Sequence, residues 1–121
     1  MEKKVFKRKL YDKMLQWKQE RDGSTALLIK GARRVGKSTL AEEFAKQEYE
    51  SYISIDFTEA PQEVRNLFND ISDLDNLLLQ LQFHYQKRLV PRRSVIIFDE
   101  VQNCPMARQA IRKLVKDHRY D

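Results

Sequence analysis

Apolar positions along this chain recur at two periods in turn, and the alternation predicts an architecture. Phe6, Leu10, Met14 and Trp17 repeat at helical spacing with Lys and Arg opposite, which predicts a helix over about 3–20. Such a face either packs beside a sheet or offers a surface to a partner or a membrane. Thr25–Lys30 is a short apolar run and reads as a buried strand, and Thr39–Lys46 reads as a helix. Ser51–Phe57 is a second candidate strand. Pro61 suits the first position of a helix reaching about Asn69. Ser72, with Asp75 three places on, comes close to a capping box, opening a helix with the stripe Leu74, Leu77, Leu78, Leu81 and Tyr85. That helix is expected to end near Leu89, before Pro91. Val95–Phe98 is β-branched and aromatic and reads as a fully buried strand. Asn103-Cys104-Pro105 starts a last helix with the stripe Ala107, Ala110, Ile111, Leu114 and Val115. Strands alternating with helices predict a parallel sheet covered on both faces, a three-layer α/β fold.

Between the first strand and its helix lies Gly31-Ala32-Arg33-Arg34-Val35-Gly36-Lys37-Ser38. This is the phosphate-loop (Walker A) pattern, in the strand–turn–helix setting it needs. The first turn of a helix has amides without internal partners and a dipole that favours anions. Gly31 and Gly36 let the main chain approach a phosphate closely. The amides of residues 31–39, from Gly31 to Thr39, are the candidate nucleotide cradle. Lys37 would reach the terminal phosphates, and the Ser38 hydroxyl would meet a magnesium ion. Arg33 and Arg34 either add positive field there or point to solvent.

The strand at 95–98 ends in Asp99-Glu100, the Walker B arrangement. Acids at the C-terminal end of a strand in an open α/β sheet stand where such sheets bind ligands. Asp99 is expected to hold magnesium, directly or through water, and Glu100 to act as general base on an attacking water. Gln102 follows closely; it would orient that water, report nucleotide state, or only cap the loop.

At 121 residues the chain is one domain by length. Apolar content of 41% and charged content of 34% fit a soluble globular protein, and no apolar run approaches a membrane span. The basic N-terminus leads to no signal-peptide stretch, and the single Cys104 cannot form an internal disulfide, so a reduced cytoplasmic setting is expected. Cys104 reads as a small buried residue rather than a nucleophile. His84 and His118 lack metal-ligand spacings, which argues against a metal site made by protein alone. The net charge of +5 is uneven: residues 1–22 carry eight basic and four acidic groups, 56–75 one and six, 84–119 nine and three. Such patches suit an acidic partner such as nucleic acid, or are solvated helix faces; no aromatic–basic nucleic-acid motif supports the former.

Together, residues 31–38, Ile55-Asp56-Phe57, Phe98-Asp99-Glu100-Val101-Gln102 and Ala107–Ile111 after Pro105 resemble the AAA-type P-loop ATPases, and among them a prokaryotic group. The likeness runs from about Lys9 to Asp121, and divides the chain into a leading basic helix (1–22) and a nucleotide-binding core (23–121). The resemblance implies ATP binding and Mg-dependent hydrolysis, with Lys37 and Glu100 in catalytic roles. It also implies a homo-oligomer in which a neighbour supplies an arginine. Relatives continue into a further core strand that carries a sensor residue. That strand lies between the one before the phosphate loop and the one ending in Asp99-Glu100. Here the chain stops at His118–Asp121, where it would begin. The expectation is therefore the front part of a P-loop core, incomplete because the sensor strand and C-terminal domain are missing. Such a piece would bind nucleotide and turn it over weakly or not at all outside an intact parent. The rivals are a nucleotide-binding or inert interaction module without turnover, and a small-molecule kinase, for which no acceptor lid is visible.

Overall fold

The computed structural model describes residues 2–21, 26–27, 37–117 and 119–121. Among the described residues five α-helices and two strands follow in order: α1 (Glu2–Arg21), α2 (Lys37–Glu48), β1 (Ser51–Asp56), α3 (Gln62–Leu67), α4 (Leu74–Tyr85), β2 (Ser94–Asp99) and α5 (Pro105–Asp117), with a 3-10 turn at Val101–Asn103. β1 and β2 pair in parallel, in register from Ser51↔Ser94 to Asp56↔Asp99. The connection between them carries α3 and α4, as a parallel crossover requires.

Alternation along the strands separates two apolar layers. Tyr52, Val95 and Ile97 face α1 and α2, where Met14, Ala41, Phe44, Ala45 and Tyr49 close over them. Ile53, Ile55, Ile96 and Phe98 face α3, α4 and α5, packing with Val64, Leu77, Leu78, Leu81, Ala107 and Ala110. Phe57, Phe68 and Phe98 meet edge to face in this second layer, with centroids 5.4–5.6 Å apart. Each such buried side chain contributes roughly 1.5–3 kcal/mol of burial free energy. At the first rung the fully buried Ser94 hydroxyl accepts from the Val90 amide at 2.8 Å. It also meets Ser51 Oγ at 2.7 Å, and Ser51 donates on to the Arg88 carbonyl at 2.5 Å.

Several sequence expectations shift. Of the strand expected at Thr25–Lys30, only Ala26 and Leu27 are described; both are irregular and exposed. Of the α1 stripe, Met14 is buried and Leu10 and Trp17 half-buried, while Phe6 lies outside the residues whose side chains are described. Pro61 is the N-cap of α3 rather than its first residue, with ψ 156 keeping it extended. Asp73, not Ser72, caps α4, accepting from the Asn76 amide at 3.0 Å. Ser72 is drawn back instead to the Asp70 carboxylate at 2.6 Å. α4 ends at Tyr85, four residues before Leu89, because Gln86 turns left-handed (φ 54, ψ 43) and the Lys87 amide closes back on the Gln82 carbonyl at 3.1 Å. The Gln82 side chain then takes the Leu89 amide at 2.9 Å, fixing the extended exit.

β2 is not buried throughout. Ser94 and Val95 are buried, whereas Ile96–Asp99 are only half covered. The buried end of β2 is also bonded by the last residues of the chain. Asp121 donates its amide to the Ser94 carbonyl (3.2 Å) and accepts from the Ile96 amide (3.0 Å), on the edge of β2 away from β1. Its carboxylate, 3% exposed, takes the Tyr49 hydroxyl at 2.6 Å and Arg92 Nη2 at 2.7 Å. Burial foremost, then the bond to Asp121, pushes the Tyr49 phenol well above its ordinary range.

Candidate nucleotide site

Chain direction brings the two ends of the candidate site together. α2 leads into β1 through only Tyr49 and Glu50, so it runs back antiparallel to the strand. Twelve helical residues span about 18 Å and six strand residues about 20 Å. The N-terminal turn of α2, opening with Lys37-Ser38-Thr39, therefore comes to the C-terminal end of the sheet. The helix face that makes this possible is Leu40, Ala41, Phe44 and Ala45, all buried.

The last rung of the ladder at that end is Asp56 opposite Asp99. Counting by twos from Tyr52 and from Val95 puts both acids on the side of the sheet that α2 covers. Asp56 also closes its own turn, its Oδ1 accepting the Thr58 amide at 2.9 Å. The next residue on β2, Glu100, leaves the strand with φ 55 and ψ 42. A non-glycine residue in this left-handed region is strained by roughly 1 kcal/mol, and such strain clusters at functional sites. The turn it starts is short: the Asn103 amide bonds the Glu100 carbonyl (3.1 Å) and the Cys104 amide that of Val101 (2.9 Å). Within it, Gln102 Nε2 donates to Glu100 Oε2 at 2.5 Å. Cys104 is buried against the second apolar layer.

A cleft of about 580 Å³ runs along the outer edge of β2. Met14, Trp17 and Phe44 form one wall, Ile111, Leu114 and Val115 the other, and Asp99, Glu100 and Gln102 stand along it with Arg108 and Arg112 of α5. Its acids and its apolar walls are thus contiguous. The structure brings Asp99, Glu100 and Gln102 together beside Asp56, and topology directs Lys37, Ser38 and Thr39 to the same end. The residues expected to cradle phosphate, Gly31, Ala32, Arg33, Arg34, Val35 and Gly36, lie outside the described residues. The sequence reading assigned no role to Arg108 and Arg112; their spacing on α5 was the available signal.

A parallel α/β unit with acids at the strand ends, and a helix opening with Lys-Ser directed to the same end, defines the P-loop class of nucleotide-binding folds. The profile of a family described as an AAA domain matches residues 23–121, and the chain belongs to that family of AAA-type P-loop ATPases. Nucleotide binding is the property this membership carries. α1 precedes the matched residues but is joined to them: Tyr11 donates to Gln47 Oε1 (2.6 Å) or Glu48 Oε2 (2.8 Å), and Met14 packs on Ala41 and Phe44. No curated protein and no solved structure is detectably similar to the chain. Among the described residues no helix is long and apolar enough to cross a membrane.

Proposed function

We propose that this chain is the nucleotide-binding core of an Mg-dependent ATPase, its leading helix 1–22 packed on a core from 23 to 121. The observation that carries the reading is the shared end of the sheet: Asp56 and Asp99 face the α2 side, and the helix that opens with Lys37-Ser38 comes back to that end. The amides of 31–39 would close over the phosphates, with Lys37 neutralising their terminal charge. The carboxylates at this end, with the hydroxyl that Ser38 would bring, are hard oxygen ligands of the kind that suits magnesium. Ser38 and Asp99 would hold the ion, which when bound would draw charge from the phosphate oxygens. Glu100, turned out of the strand at its end, would take the proton of an attacking water, and Gln102 would orient that carboxylate.

A second reading, nucleotide binding without turnover, is favoured by one contact: the Gln102 amide already occupies Glu100 Oε2. Calorimetry of the chain with Mg·ATP tests the common part. Binding is expected, and Lys37→Ala should weaken it at least tenfold, about 1.4 kcal/mol. Absence of heat with a folded chain would overturn both readings. Phosphate release separates them: Glu100→Gln should keep binding and abolish release, whereas a native chain that binds without release supports the second reading.

A further inference from the structure

The ladder between β1 and β2 stops at a defined place, and a side chain takes over there. In the observed register the Phe57 amide donates to the Asp99 carbonyl at 2.9 Å. The next bond of an evenly spaced parallel ladder would run from the Val101 amide to the Phe57 carbonyl. Glu100, left-handed, carries Val101 away into the 3-10 turn instead. The Phe57 carbonyl is met by Arg65 Nη2. The same guanidinium donates from Nη1 to the Asn103 carbonyl at 3.0 Å and from Nε to the Ala60 carbonyl at 3.3 Å.

Three edges of one planar group thus bind three carbonyls: two from the loop after β1, one from the turn after β2. A single ammonium cannot span such diverging acceptors. Next to the clamp, Asn103 Nδ2 reaches Thr58 Oγ1 at 3.3 Å, a second and weaker stitch between the same loops. Arg65 is held for this task by its neighbour Val64, which is fully buried and fixes the rotation of the six-residue α3.

The geometry assigns Arg65 as the positioning residue of the candidate site: its guanidinium replaces the missing ladder bond and sets the turn that carries Glu100 and Gln102. The clamp itself stands on the hydrogen bonds above; its bearing on nucleotide chemistry rests on the proposed function. Arg65 would touch neither nucleotide nor metal. It would act through the main chain of Asn103 and Phe57, which bracket Asp99, Glu100 and Gln102 in space.

The test compares the native chain with Arg65→Lys and Arg65→Ala by residue-resolved hydrogen exchange and by ATP titration with and without Mg2+. In Arg65→Lys, exchange at the Asn103 and Cys104 amides should quicken about tenfold while Ile53 and Ile55 stay protected. The lysine variant carries this arm if the alanine variant fails to fold. Unchanged exchange at Asn103 and Cys104 would overturn the clamp. The gain in ATP affinity on adding Mg2+ should fall about fivefold with affinity in chelator unchanged, a split that a general loss of structure would not give. An unchanged gain in a variant whose turn has loosened would overturn the link to the site. If the native chain binds no ATP, the nucleotide reading fails, and the exchange arm still decides whether Arg65 holds the turn.

Discussion

Arg92 Nη2 and Asp121 Oδ1 lie 2.7 Å apart, and this pair fastens the last residues of the chain to the outer edge of β2. The carboxylate is almost fully buried and the guanidinium about a third exposed, so the charges are only partly screened. Tyr49 closes the other oxygen from the α2 layer, so three separate parts of the chain meet on one carboxylate.

Asp121→Asn keeps the shape and removes the charge. It should cost about 1–3 kcal/mol, because it removes the charge that the partly buried Arg92 guanidinium meets at 2.7 Å. Urea denaturation of the two proteins gives the difference.

Stability should fall steeply above pH 10. Tyr11, whose phenol is pushed up to about 12, together with Tyr49, Tyr85 and Tyr120, is held protonated by the fold, chiefly through burial. A raised phenol favours the fold fully below the unfolded value of 10.0, and that advantage is lost as pH climbs towards the folded value. Tyr49, the most buried of them, adds a slope of up to about 1.4 kcal/mol per pH unit, and the more exposed phenols add less because solvent screens them. Tyr49→Phe should remove one such share; an alkaline unfolding curve as steep as that of the native chain would contradict the assignment.

Glu100→Gly should stabilise the fold while removing its proposed chemistry. Glycine adopts the left-handed conformation without the Cβ clash, a relief of about 0.5–1 kcal/mol that should outweigh exposed contacts of the carboxylate such as that with Gln102. Thermal melts of the variant should move upward, and any ATP turnover of the native chain should vanish.

The exposed side of α4 should tolerate polar substitution. Leu79 is 63% and Phe83 83% exposed, one turn apart. Phe83→Glu should change stability by no more than about 0.5 kcal/mol, since so exposed a side chain buries little. Phe57→Ala, at a fully buried ring of the aromatic trio, should cost about 3–5 kcal/mol. Chemical denaturation of the pair measures the contrast.

Much of this was legible in the chain. The strand at Ser51, the strand ending in Asp99 and the helices around them follow from apolar spacing, because packing on a sheet rewards the same periods that the sequence displays. The capping at Ser72 was misread because Asp70, two residues earlier, competes for the same hydroxyl. The end of α4 escaped because Gln86 has no left-handed signature, and only the amides of Lys87 and Leu89 closing on Gln82 reveal the stop. At the candidate site, the acids and Gln102 could be named from local sequence. Arg65 could not, since its acceptors are carbonyls five, eight and thirty-eight residues away, and carbonyls leave no mark in a sequence.

The crossover has a consequence for how the protein is made. Ser51 pairs with a residue 43 positions later, so no hairpin can seed this sheet. At roughly 5–20 residues per second, β1 leaves the ribosome about 2–9 s before β2 does. During that interval Ile53 and Ile55 can be shielded only by the helices already translated or by a chaperone.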